Sequence, residues 1–212
     1  MVEITDQATG VGTVPWIVTG MPGSGKSTVT RALAAALPRA ARIAADDLNA
    51  MIVSGAVWPL GHPAEEAARQ VELCHRNTGS LAHNFAASGF TPIIDVVLPD
   101  GDHLDRLVRQ LPQQRARLVV LAPGEAACRA RNDGRSVDER FAFDGYGELD
   151  ATMRAGFGDR GQWIDSVDLT VEATVRAILR APTVVAFDRD RGGRETGPRV
   201  SWQSIPRSHL DS

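Results

Sequence analysis

Lysine is almost absent from this chain: of its 23 basic side chains 22 are arginine, and the one lysine stands at position 26. Such a bias points to a genome that writes Arg wherever either cation serves. The surviving Lys26 then marks a position that needs a compact ammonium on a flexible stem and not a broad planar guanidinium. Cysteine is scarce too. Cys74 and Cys128 are the only two, both in helix-like contexts, and the chain opens Met-Val-Glu-Ile without a basic and then apolar leader. A secreted, disulfide-framed protein is therefore not expected, and the default compartment is the cytoplasm. No window approaches the ~18 apolar residues of a membrane span. Nor is there a basic excess. The formal net charge is −3 with no Arg stripe, whereas a grip on long nucleic acid draws most of its affinity from neutralised phosphates.

What is present is ordinary globular usage, 43% hydrophobic and 23% charged, enough to close a core. The 212 residues fit one domain, expected over 1–181, followed by an Arg/Gly/Pro-rich tail over 182–212 with room for one added strand at Thr183 to Phe187.

Strand-like and helix-like stretches alternate. Val14 to Thr19 reads as a buried strand, Ser27 to Leu37 as an Ala-rich helix, and Arg42 to Ala45 as a second strand ending in Asp46-Asp47. Pro63 to Ser88 reads as a long helix closed by Gly89, and Thr91 to Leu98 as a strand interrupted by Asp95. Helix Asp102 to Gln110, strand Ala116 to Ala122 and the Arg-rich helix Glu125 to Asn132 follow. The pattern lapses into Gly, Asp and Arg over 133–147, which suggests a mobile lid. A helix from Leu149 to Ala155, a weak strand Gln162 to Ile164 and a helix capped by Thr170 complete the series. This alternation predicts an α/β fold with a parallel sheet covered on both faces.

Gly20-Met21-Pro22-Gly23-Ser24-Gly25-Lys26-Ser27 matches G-x-x-x-x-G-K-[ST] in full and sits between a strand and a helix. Its glycines let successive backbone N–H groups turn toward phosphate oxygens at the positive end of a helix. Gly23, Ser24, Gly25, Lys26, Ser27 and Thr28 are thus expected to hold the phosphates of a nucleotide, with Lys26 on the β- and γ-phosphates and the Ser27 hydroxyl on Mg²⁺.

Asp46 and Asp47 come twenty positions after Lys26, at a strand end, and strand ends face the ligand crevice of such a sheet. A carboxylate there can accept the proton of an attacking hydroxyl, and either Asp46 or Asp47 fits; the alternative is that the pair caps a helix beginning at Leu48. Asp95 after Pro92-Ile93-Ile94 fits an acid that holds Mg²⁺ through water or binds the acceptor, or one that ends a strand for turn reasons. Arg129, Arg131 and Arg135, at the hinge of the lid, would neutralise transferring phosphate or else face solvent. His75 and Arg76, with Asn77, His83 and Asn84, decorate the long helix that would border the acceptor pocket, or else are ordinary surface or satisfied core residues. Trp58 would stack on a planar acceptor or pack the core.

Together, Gly20 to Thr28, the Asp46-Asp47 pair, Ile94-Asp95 and the Arg-rich lid resemble the P-loop kinases related to chloramphenicol phosphotransferase, the polynucleotide 5′-hydroxyl kinases and the zeta-toxin-related small kinases. The resemblance covers about residues 14 to 180. It implies a five-stranded parallel sheet of order 2-3-1-4-5, ATP and Mg²⁺ as cofactors, Asp46 as the acid that activates the acceptor hydroxyl, Lys26 and Ser27 on phosphate and metal, and Arg131 or Arg135 as the lid arginine. Polynucleotide kinases usually carry an arginine shortly after the Asp pair, where this chain has Leu48-Asn49-Ala50. The expectation is a kinase that moves the γ-phosphoryl group to a small-molecule acceptor, an antibiotic or nucleoside-like metabolite. A polynucleotide 5′-hydroxyl kinase and an ATP-dependent regulatory switch are the alternatives.

Overall fold

The computed structural model describes residues 13–59, 61–136, 140 and 143–187. The opening residues, part of the expected lid and everything after residue 187 lie outside the described residues. Strand β1 (Trp16–Gly20) leads through the glycine loop into α1 (Lys26–Ala36), and β2 (Ala40–Ala44) runs directly into the short α2 (Ala45–Ala50). Then come α3 (Ala64–Ala87), β3 (Thr91–Asp95), α4 (Gly101–Gln110), a single 3₁₀ turn, β4 (Arg115–Leu121) and α5 (Glu125–Asp133). Helix α6 (Tyr146–Phe157), β5 (Gln162–Ile164), α7 (Val171–Arg180) and β6 (Val184–Ala186) complete the order.

Five strands are parallel in the order β2-β3-β1-β4-β5, and β6 adds antiparallel to the first half of β4. Every residue of β1 is buried, as a central parallel strand with helices on both faces requires. Its side chains alternate between the two faces. Ile17 joins Ile43, Ile94, Leu118 and Val120 under α3, α4 and α6, while Trp16 and Val18 join Val29, Leu33, Val175 and Ile178 under α1 and α7. The alternation is the two-residue period of a strand turned into two cores.

The register Ala44↔Asp95 sets the carboxyl ends of β2 and β3 level, with Val18 opposite Asp95 and β1 running on past them to Gly20. That common edge is where the glycine loop and Asp46 emerge. The structure moves two boundaries read from the sequence and contains the added strand expected at Thr183 to Phe187. β2 stops at Ala44, so Asp46 and Asp47 do not end the strand; they lie in the first turn of α2. β3 ends at Asp95 and not at Leu98: after a last ladder bond from Val96 N–H to the Val18 carbonyl, Leu98 N–H donates to the Thr19 hydroxyl instead of a backbone carbonyl. The residues after Pro182 contribute β6, and Phe187 N–H donates to the Gln114 carbonyl. Thr170 caps α7 as expected, accepting from Ala173 N–H at 3.2 Å. Among the described residues no helix is long and apolar enough to cross a membrane.

Candidate functional site

The loop from Gly20 to Ser27 turns tightly because its glycines leave room that no side chain could. A Cβ on Gly20 would lie 2.5 Å from the Leu121 carbonyl oxygen, and one on Gly23, whose φ is +79°, would overlap the Cys128 carbonyl. Ser24 is buried, and its hydroxyl has no hydrogen-bond partner among the described residues. Gly25 stands at φ +94° immediately before α1, so the first N–H groups of α1 open onto the loop. Ser27 and Thr28 are exposed there.

Lys26 curls over the loop, its Nζ donating to the carbonyls of Gly20 and Met21 at 3.0 Å each. Burial pushes its ammonium below the ordinary lysine range, with the nearby charge of Arg135 adding to the shift; Asp95 and Asp46 pull the other way. The charges of two carboxylates, Asp95 and Asp46, thus reach the single lysine. Asp46 is open to solvent on one side and lined by protein on the other. Desolvation raises its carboxyl above the usual range, Asp95 and Asp47 add to the rise, and Lys26 and Arg42 oppose it. Asp47 is exposed and lies 3.8 Å from Arg42.

Asp95, expected on metal or acceptor, is only 6% exposed, and its Oδ2 accepts from Arg42 Nη2 at 2.5 Å and from Thr30 Oγ1 at 3.3 Å. Arg42 is the residue that sequence reasoning missed. One of 22 arginines in a short strand carries no local signal, and its partner Asp95 is 53 positions away.

The three hinge arginines separate. Arg131 reaches the glycine loop, donating to the carbonyls of Ser24 and Ser166 at 3.4 Å each, and Arg135 is near enough to act on the Lys26 charge. Arg129 turns away from the loop: Nε donates to Glu125 at 2.8 Å, Nη2 to the Asp144 carbonyl at 2.9 Å, and the guanidinium stacks over Tyr146. In this arrangement the pairing with Glu125 one turn earlier holds Arg129 toward α6.

His75 is 4% exposed, packed between α3 and α4 with its ring edge-on to His103. Burial first, then the charges of His103 and Arg106, push it down to about 4, so it is neutral at pH 7 and closed to an acceptor. Arg76 opens instead onto a shallow depression with Gly79, Ser80, His83, Asn84 and Gln110, toward the C-terminal end of α4 and away from the glycine loop. No hydrogen bond or ion pair joins either residue to Asp46 among the described residues, whereas Cys74 lies close to it: its thiol is 3.8 Å from the Ala45 carbonyl, and the Asp46 charge acts on it.

The sequence pattern of the AAA domain family matches residues 16–158, which takes in the glycine loop, Asp46, Asp95 and the hinge arginines. The chain belongs to the AAA domain family. No curated protein matches it in sequence. Solved structures share its fold. An unliganded sugar kinase from Janibacter sp. superposes with a TM-score of 0.58 at 20% identity, over 79% of this chain and 93% of that one. The tunicamycin resistance protein of Deinococcus radiodurans gives 0.56 at 16% identity, over 82% and 99%. A gluconokinase from Sinorhizobium meliloti gives 0.52 at 21%, over 79% and 90%. This AAA domain therefore has the α/β P-loop NTPase fold, with the sheet order of that group and helices on both faces.

Proposed function

We propose that this AAA domain is an ATP-dependent kinase that moves the γ-phosphoryl group to a hydroxyl of a small acceptor, with Asp46 as general base. One observation carries the reading: the charges of Asp46 and Asp95 both act on the loop's single lysine, and Asp46 is the one of the two that faces solvent, its carboxyl raised by burial above the usual range. A base of that kind holds a hydroxyl in line and takes its proton as oxygen attacks the γ-phosphorus and the bond to ADP breaks. Lys26, Arg131 and Arg135 then face the charge on the transferring group.

The donor set fits magnesium brought in by nucleotide phosphates. Among the described residues no three His, Cys, Asp or Glu side chains converge as a protein-made metal cage would need, and Mg²⁺ in phosphoryl-transfer sites takes one or two protein ligands beside phosphate and water. The exposed Ser27 hydroxyl would bind it directly, and Asp95 through water. Bound there, the ion supplies neutralisation of the β- and γ-phosphate charge.

The acceptor class is read from the segment between α2 and α3. Met51, Val53 and Trp58 are 71%, 95% and 61% exposed, so Trp58 does not pack the core. The backbone beneath them is held: Val57 N–H donates to Gln70 Oε1 and Gln70 Nε2 to the Gly55 carbonyl, both at 2.8 Å. An apolar rim that begins one residue beyond the helix of Asp46 suits an alcohol with an aromatic or aliphatic body, antibiotic-like or nucleoside-like, and not a polyanion. Incubation with Mg-ATP and a panel of such alcohols, sugars and a 5′-hydroxyl oligonucleotide, read by mass spectrometry, tests this. A phosphate added to an apolar-bodied alcohol is the expected product; phosphate added to the oligonucleotide alone would overturn the assignment.

A further inference from the structure

We infer that Arg42 is a positioning residue that fixes, through Thr30 and Asp95, where α2 presents the Asp46 carboxylate to the glycine loop; this rests on the phosphoryl-transfer reading above. Its guanidinium joins three elements. Nε donates to Thr30 Oγ1 at 2.9 Å on α1, Nη2 donates to Asp95 Oδ2 at 2.5 Å at the end of β3, and Nη1 lies 3.8 Å from Asp47 Oδ2 in the first turn of α2. Thr30 Oγ1 shares its proton between Asp95 Oδ2 at 3.3 Å and the carbonyl of Ser27 at 3.2 Å. The strap therefore ends on the backbone of the residue that would hold the metal. It is well shielded, with Arg42 17% exposed, Asp95 6% and Thr30 fully buried.

Helix α2 needs such a tether. It has six residues, and its N-cap is Ala44, which offers no side-chain cap. A helix that short has little stability of its own; Ala45 and Leu48 anchor it in the core, and polar grips on its first turn set its orientation. Those grips are Arg42 against Asp47 and the Cys74 thiol against the Ala45 carbonyl. Asp46 lies between them. Arg42 also keeps Asp95 occupied on one oxygen, which leaves Asp46 as the carboxylate of the cleft that faces solvent. An ammonium could bridge Thr30 and Asp95, whose oxygens lie 3.3 Å apart, but a guanidinium sets a third nitrogen toward Asp47 as well.

The test is Arg42→Gln, Thr30→Val and the double variant, with Arg42→Lys as the milder change that keeps a cation against Asp95. In Arg42→Gln, kcat is expected to fall about 30-fold while the KM for ATP and the calorimetric Kd for ADP stay within about twofold, the signature of a misplaced catalytic group. The double variant should be no slower than Arg42→Gln alone, and Arg42→Lys should lose kcat to a similar extent. Backbone amide shifts of residues 45–50, read without any acceptor, should move while those of Gly23 to Ser27 do not. A folded Arg42→Gln or Arg42→Lys protein with unmoved amides at 45–50, with wild-type kcat, or with ADP affinity lost in parallel with kcat would overturn the inference. Because the amide readout needs no substrate, it decides the strap even if the chain phosphorylates nothing.

Discussion

Lys26 is the one position where this chain keeps lysine, and its Nζ spans two loop carbonyls at 3.0 Å. A planar guanidinium would not curl into that space, so Lys26→Arg should weaken ADP binding nearly as much as Lys26→Ala, by about tenfold or more, as calorimetry can check. Asp46→Asn separates chemistry from binding: kcat should drop by about 10²- to 10⁴-fold with ADP affinity nearly intact. The same change tests the charge balance. Because the folded protein holds the Asp46 proton more tightly than the unfolded chain does, ionising Asp46 destabilises the fold above its raised pKa. Asp46→Asn should therefore raise Tm at neutral pH and have no effect in acid, where Asp46 is protonated. His75 runs the opposite way. Its value falls from 6.5 to about 4 on folding, so between those values the unfolded state binds the extra proton and stability is lost as pH falls, by on the order of 3 kcal/mol at most. Urea midpoints for His75→Leu should be flatter than wild type across that window.

Among the elements, α3 and α4 approach unusually closely. A Cβ on Gly79 would lie 2.5 Å from the Gln110 carbonyl oxygen and 2.7 Å from the Gln110 Cβ. Gly79→Ala should cost about 1–3 kcal/mol in denaturant unfolding, with ADP affinity unchanged because the contact is remote from the loop. The long elements were legible in the sequence: α3 shows a sustained apolar period and ends at Gly89 with φ +77°, and β1 is an unbroken apolar run. Helix α2 was not. Its six residues hold too few periods, and Asp46-Asp47 after a strand reads equally well as a strand end or a cap. The pairing of Arg129 with Glu125 was open to an i, i+4 reading, but among several arginines at one hinge only the packing of α5 on α6 shows which of them turn inward.

At the scale of the whole molecule, the site is assembled by sheet order. Placing β3 between β2 and β1 brings Asp95 beside Arg42 and near enough for its charge to act on Lys26, although these residues are scattered over about a third of the chain. The glycine loop could be read because all its parts are neighbours in sequence; the Arg42, Thr30 and Asp95 cluster could not, because it exists only once three elements are in register. The buried position of His75 likewise follows from how α3 settles on α4, which helical periodicity alone leaves open. The central claim, that the solvent-facing Asp46 beside the glycine loop is the base of a phosphoryl transfer, is tested most directly by comparing wild type and Asp46→Asn for phosphate delivered from Mg-ATP to an acceptor, at matched ADP affinity. The wild type should transfer phosphate, and the variant should lose at least about 100-fold. Equal transfer by both proteins, or loss of ADP binding in step with transfer, would contradict it.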